Sequence, residues 1–150
     1  MKINIQKGNL FDLDKRYALA HCVSLDCSNP KSWGMGIATE FKKRFKGMKH
    51  YCARVIENNN LSYPVIIPYC ENDRCIFNLI TKRVYYGKPT YATITKCIHD
   101  MASMCKQFDI KYLGIYKLGC NLDKLQWGKV KEIIEQEFKD IDIEIEVRYL

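Results

Sequence analysis

A lysine in mid-chain and an aspartate towards the end offer the most reactive chemistry in this sequence. Lys82 closes the apolar run Leu79-Ile80-Thr81-Lys82, and Asp123 stands in the loop Gly119-Cys120-Asn121-Leu122-Asp123. A lysine amine attacks an aldehyde or an anomeric carbon in its neutral form, which desolvation and neighbouring cations such as Arg83 favour. An aspartate can carry protons to and from a leaving oxygen. The two are useful together only if they face one crevice. On pattern alone the competing assignment is a plain surface lysine and an aspartate that caps the next helix, a role Asp fills well.

The loop that holds Asp123 is a strand-to-helix connection. It follows the alternating apolar run Tyr112-Leu113-Gly114-Ile115-Tyr116 and precedes a helical pattern at Val130, Ile133, Ile134 and Phe138. Open α/β sheets bind ligands just beyond the carboxyl ends of strands. Gly119 lets backbone approach a ligand, and small residues before a helix expose amide N–H groups that suit phosphate oxygens. Gly34-Met35-Gly36 opens a second junction of this kind, before a helix with Ile37, Ala38, Phe41 and Phe45 on its apolar face. Ser24 to Asp26 ends another strand.

The elements that must position these groups alternate along the chain. Residues 2–6 alternate Ile3 and Ile5 with polar residues as a first strand, and Gly8-Asn9-Leu10-Phe11 comes next as a turn. Residues 17–24 form a nearly continuous apolar run, the pattern of an interior strand covered on both faces. A second helix is expected over 48–57, ended by Asn58-Asn59-Asn60. Two strands, 63–69 and 74–80, flank Glu71-Asn72-Asp73, with Pro68 marking an edge or a bulge. A long helix runs from Lys88-Pro89-Thr90 to about Phe108, another ends near Lys139, and 141–147 alternates as a strand with one wet face. The alternation predicts a mixed sheet with helices on both faces, in one domain spanning 1–150.

With 150 residues, 47% of them hydrophobic and 27% charged, the chain reads as globular. No apolar run approaches the roughly 20 residues of a membrane span, and the N-terminus reads as a strand, not a signal peptide. An intracellular protein is expected, neither secreted nor membrane-bound. Its eight cysteines are therefore expected to be mostly buried thiols, with Cys70 and Cys75 facing each other across the hairpin. Cys22/Cys27 and Cys70/Cys75 share a Cys-x4-Cys spacing, but three histidines and no tight Cys-x2-Cys speak against zinc. The net charge of +7 favours an anionic partner: a phosphate ligand, a nucleic acid or an acidic protein. Part of it is the run Lys42-Lys43-Arg44 with Lys46 and Lys49, which lacks the interleaved aromatics of a stacking platform.

The sequence also resembles the macro domain superfamily, in its terminal ADP-ribose protein glycohydrolase branch. The matching motifs are Gly8-Asn9-Leu10-Phe11, Ala20-His21-Cys22-Val23-Ser24, Gly34-Met35-Gly36-Ile37-Ala38 with Phe41-Lys42-Lys43-Arg44-Phe45, Leu79-Ile80-Thr81-Lys82, Lys88-Pro89-Thr90-Tyr91, and Gly119 through Asp123 to Trp127. They span almost the whole chain. The resemblance implies a three-layer α/β/α sandwich with a mixed central sheet and an ADP-ribose cleft, and no metal or organic cofactor. It implies an enzyme that removes ADP-ribose from acidic side chains and cleaves O-acetyl-ADP-ribose. Lys82 matches the lysine that attacks the distal ribose, giving a lysyl-ADP-ribose intermediate, and Asp123 the acid that assists cleavage and resolves it. By the same match the substrate is held by Asn9, Leu10, Ser24, Gly34, Met35, Gly36, Ile37, Gly119, Cys120, Asn121 and Leu122. The C-terminal residues Arg148 to Leu150 complete the site, with Arg148 or Tyr149 stacking on adenine. The implied partners are ADP-ribose and ADP-ribosylated protein or DNA, and the implied state is a monomer.

Four departures bear on substrate choice. Asn9 stands where the family has Asp, Asn121 replaces a glycine of the phosphate loop, and Tyr116-Lys117 replaces Pro-Arg. Ser28 to Trp33 is an insertion beside the distal-ribose loop, where Trp33 is placed to roof the pocket. Two other functions compete with hydrolysis: a reader that holds ADP-ribose without cleaving it, and a nucleic-acid binder that uses the basic helix.

Overall fold

The computed structural model describes residues 1–120 and 123–150. One six-stranded sheet organises them: β1 (Lys2–Lys7), β2 (Ala18–Ser24), β3 (Val65–Glu71), β4 (Arg74–Lys82), β5 (Tyr112–Ile115) and β6 (Glu144–Tyr149). Across the sheet they run β1-β6-β5-β2-β4-β3. Every neighbouring pair is parallel except β3 and β4, so the sheet is mixed. The helices are α1 (Ile37–Arg44), α2 (Met48–Asn59), α3 (Tyr91–Gln107) and α4 (Trp127–Phe138). Among the described residues no helix is long and apolar enough to cross a membrane.

Each face of the sheet has its own core. Ala18 and Ala20 of β2 join Leu79, Leu113, Ile145 and Val147 beneath Ile94, Ile98 and Met101 of α3 and Val130, Ile134 and Phe138 of α4. Leu19 and Val23 point the other way and pack with Ile76, Ile80, Phe41, Met48 and Cys52 under α1 and α2. Side chains alternate across a strand, so β2 needs apolar residues at both parities because both faces are covered. Pro68 lies exposed on β3, an edge strand, where its missing N–H costs no ladder bond. Cys70 and Cys75 are register partners and form a disulfide, their Cα atoms 4.2 Å apart. The other six cysteines are free.

Two readings of the sequence need correction. The strand expected over 141–147 runs Glu144–Tyr149, and its alternate face is not wet. Glu146 is only 7% exposed, because β6 lies between β1 and β5 and the β1–β2 connection covers it. That connection, expected to be a simple turn, contains a short 3-10 turn, Leu10–Asp12, over β6. Arg148, two residues on and on the same face, donates from Nε to Glu146 Oε1 at 3.0 Å and neutralises it.

His21 is the buried polar group with the clearest effect on stability. Asn78 Nδ2 donates to the Ile67 carbonyl, so Asn78 Oδ1 faces His21 Nε2 at 2.7 Å and that nitrogen carries the proton. The ring stacks on Phe41, 3.9 Å between centroids. Burial lowers the His21 pKa from 6.5 to about 4, opposed by the bond to Asn78. The folded imidazole stays neutral where the unfolded one is charged, so the unfolded chain binds more protons through that window. The His21 contribution is whole above pH 6.5 and is lost as the pH falls towards 4, a decrease of roughly 3 kcal/mol. Urea unfolding at about pH 7.5 and about pH 4.5 should therefore show a smaller acid loss for His21→Phe than for the wild type. Equal losses would contradict the assignment.

Candidate active site

Strand carboxyl ends and two Gly-containing junctions meet in a cleft of about 570 Å³. Its floor is β2 from Ala20 to Ser24 with Lys82 of β4. One wall is the Gly34-to-Ala38 junction, the other the β5–α4 loop from Tyr116 to Gly119 with Asp123 and Lys124. Lys82 and Asp123 are brought together here: Lys82 Nζ donates to Asp123 Oδ1 at 2.7 Å. Their side chains are only 14% and 11% exposed, so solvent screens this ion pair far less than a surface one.

Local backbone explains how the two side chains meet. Val23 pairs with Ile80, yet Ser24 pairs with Lys82, so β4 has one extra residue at this point. Such a bulge breaks the strand's strict alternation and re-aims the side chain after it, here Lys82. On the other side, Gly119 adopts φ +71°, and its carbonyl accepts the Leu125 N–H at 2.8 Å. That bond closes the loop in which Asp123 sits. Gly36, at φ 65° and ψ −147°, turns the chain into α1 through a region open essentially to glycine. It aims the first N–H groups of that helix at the wall of the cleft.

The electrostatics suit an anion. Lys31, Lys88, Lys117 and Lys124 line the cleft with Lys82. Thiols close to the cleft are poor nucleophiles. Burial, then Cys97 and Asp123, pushes the Cys22 thiol well above its ordinary value, and burial pushes Cys120 up to about 11. Protonated thiols do not attack.

A hollow of about 350 Å³ between α3 and α4, lined by Tyr91, Lys129 and Glu137 among others, contains no comparable lysine–carboxylate contact. Among the described residues no group of three or more His, Cys, Asp or Glu is placed to hold a metal ion.

Comparison with known proteins agrees with this fold. No family model matches the chain. The human protein named ADP-ribose glycohydrolase OARD1 is 36% identical over 146 residues, which cover 97% of this chain and 90% of that one. The chain belongs to the macro domain family, in its OARD1 branch. Solved macro domains share the fold: that of Mycobacterium tuberculosis DarG superposes with a TM-score of 0.86 at 20% identity, covering 99% of this chain and 97% of that one. Thermosipho africanus DarTG, solved in complex with ADP-ribose, gives 0.83 at 18% identity over 98% of this chain and 41% of that one.

The macro domain cleft takes in some of the residues expected at the site and leaves out others. Ser24, Gly34, Met35, Gly36, Ile37, Lys82, Gly119 and Asp123 line it. Asn121 and Leu122 lie outside the described residues. Asn9, Leu10, Cys120, Arg148 and Leu150 are not among the lining residues. Leu10 is fully buried in the core, and the Asn9 side chain accepts the Phe11 N–H at 2.9 Å to cap the short 3-10 turn. Arg148 is engaged by Glu146 and, from an Nη, by the Asn9 carbonyl, while Leu150 is exposed. Cys120 donates from Sγ to the Leu118 carbonyl.

The residue that connects Asn9 and Leu10 to the cleft is Tyr116. Its ring lines the cleft, and its hydroxyl accepts the Leu10 N–H at 3.0 Å and lies 3.4 Å from Asn9 Oδ1. A ligand reaching those two groups has to displace that hydroxyl. Trp33 also lines the cleft, 4% exposed and edge-on to His21 at 5.1 Å, so the insertion ends in a wall rather than in solvent. Tyr85 and Tyr86 of the β4–α3 connection line the cleft too, and the sequence reasoning missed them. The only signal for them is their position just after Lys82.

Gly119 gives a direct check on the loop. A Cβ there would lie 2.9 Å from Leu125 Cδ1 and 3.1 Å from Ile94 Cδ1, at a positive φ. Gly119→Ala should cost about 1–2 kcal/mol in urea unfolding. An unchanged midpoint would mean that the loop does not depend on this conformation.

Proposed function

We propose that this macro domain hydrolyses the bond between ADP-ribose and acidic side chains, and also cleaves O-acetyl-ADP-ribose, with Lys82 as nucleophile and Asp123 as acid and then base. The observation that carries the reading is the 2.7 Å contact between Lys82 Nζ and Asp123 Oδ1 inside the cleft. Support comes from the relative named ADP-ribose glycohydrolase and from the fold-mate solved with ADP-ribose. The same reading takes 1–150 as one macro domain that acts as a monomer in an intracellular compartment.

One proton lies between Nζ and Oδ1. On nitrogen it makes the ion pair; on oxygen it leaves a neutral amine and a neutral acid, the tools the reaction needs. The amine forms a bond to the anomeric carbon of the distal ribose as the carbon–oxygen bond to the leaving group breaks. Asp123 gives its proton to the departing oxygen. The adduct is a positively charged lysyl-ADP-ribose beside a carboxylate. Asp123 then takes a proton from water as the water oxygen bonds to the anomeric carbon, and the carbon–nitrogen electron pair returns to Nζ. One water is consumed, and free ADP-ribose and the free acid are released. The helix N-terminus beside Gly36 and the cleft lysines hold the diphosphate during both steps.

A DNA-linked adduct is a second reading with an observation of its own. Tyr85 and Tyr86 form an edge-on pair, 5.2 Å between centroids, in the cleft wall beside Lys82. Tyr86 is 73% exposed, a surface on which a base can stack. A panel of glutamate-linked, O-acetyl, 1″-phosphate and DNA-linked ADP-ribose separates the two readings by which adduct is cleaved.

Lys82→Ala should abolish turnover, and Asp123→Ala should lower it about a hundredfold or more, while free ADP-ribose still binds both variants. Turnover at the wild-type rate in either variant would remove the mechanism. Tight ADP-ribose binding by the wild type with no adduct cleaved would mark a reader instead.

A further inference from the structure

Asp26 lies two residues beyond β2, and both of its carboxylate oxygens are engaged. Oδ1 accepts the Ser24 hydroxyl at 2.5 Å, and Oδ2 accepts the backbone N–H of Tyr85 at 3.0 Å. Between them, the Leu25 N–H donates to the Lys82 carbonyl at 2.8 Å. The carboxylate therefore joins the end of β2 to the chain three residues past Lys82. The section it closes is the one where the β2–β4 register slips between Val23 and Ser24. A bulge re-aims a side chain but leaves its local ladder disrupted. The Lys82 carbonyl and the Tyr85 N–H both follow the bulge, and both are tied to the chain just beyond β2, by Leu25 and by Asp26.

We propose that Asp26 is a positioning residue for the Lys82 reaction: it locks the bulged end of β4 so that Nζ meets Asp123. It also sets the direction of Ser24. A serine hydroxyl has a single proton, and here it is committed to Asp26. Ser24, which lines the cleft, is therefore an acceptor towards whatever lies there, matching a donating ribose hydroxyl. This inference rests on the hydrolase function proposed for the cleft.

Two donors converge on Asp26, and a carboxylate meets them with one oxygen each. An amide of the same shape has one acceptor oxygen. A serine hydroxyl can turn round and accept from an amide N–H, whereas a backbone N–H cannot. Asp26→Asn therefore keeps the Tyr85 bond and reverses the Ser24 bond. Asp26→Ala deletes both. Asp26→Glu keeps charge and acceptors but moves them by one methylene.

The test uses the full chain and an adduct that the wild type cleaves, with kcat, KM, calorimetric ADP-ribose affinity and thermal midpoint measured for all three variants. Asp26→Ala is expected to lower kcat by about tenfold or more with KM and ADP-ribose affinity within about threefold, since displacing a reacting group by an ångström has effects of this order. Asp26→Asn is expected to recover most of kcat, and Asp26→Glu to fall below Asp26→Asn despite its charge. Wild-type kcat in Asp26→Ala would overturn the proposal. So would a joint loss of kcat, affinity and thermal midpoint that Asp26→Asn does not relieve, since that marks a general structural role. If Asp26→Ala does not fold, the order of the other two decides: Glu at or above Asn overturns it. A wild-type chain that cleaves no adduct removes the function itself, and this proposal with it; an active wild type with an indifferent Asp26 removes only the proposal.

Discussion

The structure turns on one contact between two groups far apart in the chain. Lys82 and Asp123 are 41 residues apart, and their side chains meet at 2.7 Å with little exposure. Neither segment alone directs them there. A bulge at the end of β4 aims the lysine, and a loop closed on Gly119 holds the aspartate. In water such a pair is worth little, but inside a cleft the two charges are screened far less. On the proposed mechanism, both chemical tools come from that single contact.

The rest of the cleft serves the same contact in complementary ways. The floor is β2, covered on both faces, so it provides a rigid base. The Gly36 turn presents one helix N-terminus, and the lining lysines raise the potential for an anion. The Cys22 thiol in the floor, pushed well above its ordinary value, stays protonated. Tyr116 and Trp33 fill space that this chain shapes for itself, and they narrow what can enter. The lysine–aspartate contact joins the floor to one of these walls.

Much of this could be read from the residues. The nearly continuous apolar run of β2 announced a strand covered on both faces, and Pro68 announced an edge or a bulge, because each pattern has a direct physical cause. Lysine and aspartate, picked out by type, are brought into contact. The hidden part is non-local. Glu146 looks solvent-facing by alternation, and only the connection that folds over β6, with Arg148 beside it, makes it buried. The Glu-x-Arg spacing was the one hint of it. Tyr116 reaches Leu10 across 106 residues, which no local pattern encodes. The slip in register at Val23 and Ser24 depends on how two strands pair, so neither sequence segment shows it.

The most direct test is chemical trapping. The lysyl adduct opens to an imine, which cyanoborohydride reduces to a stable amine. After reaction with an ADP-ribosylated substrate in the presence of cyanoborohydride, peptide mass spectrometry should find ADP-ribose on the peptide that carries Lys82, and none there in Asp123→Ala if the acid is needed to form the adduct. Substrate that turns over with no label at Lys82, or with the label on another lysine, would contradict the account.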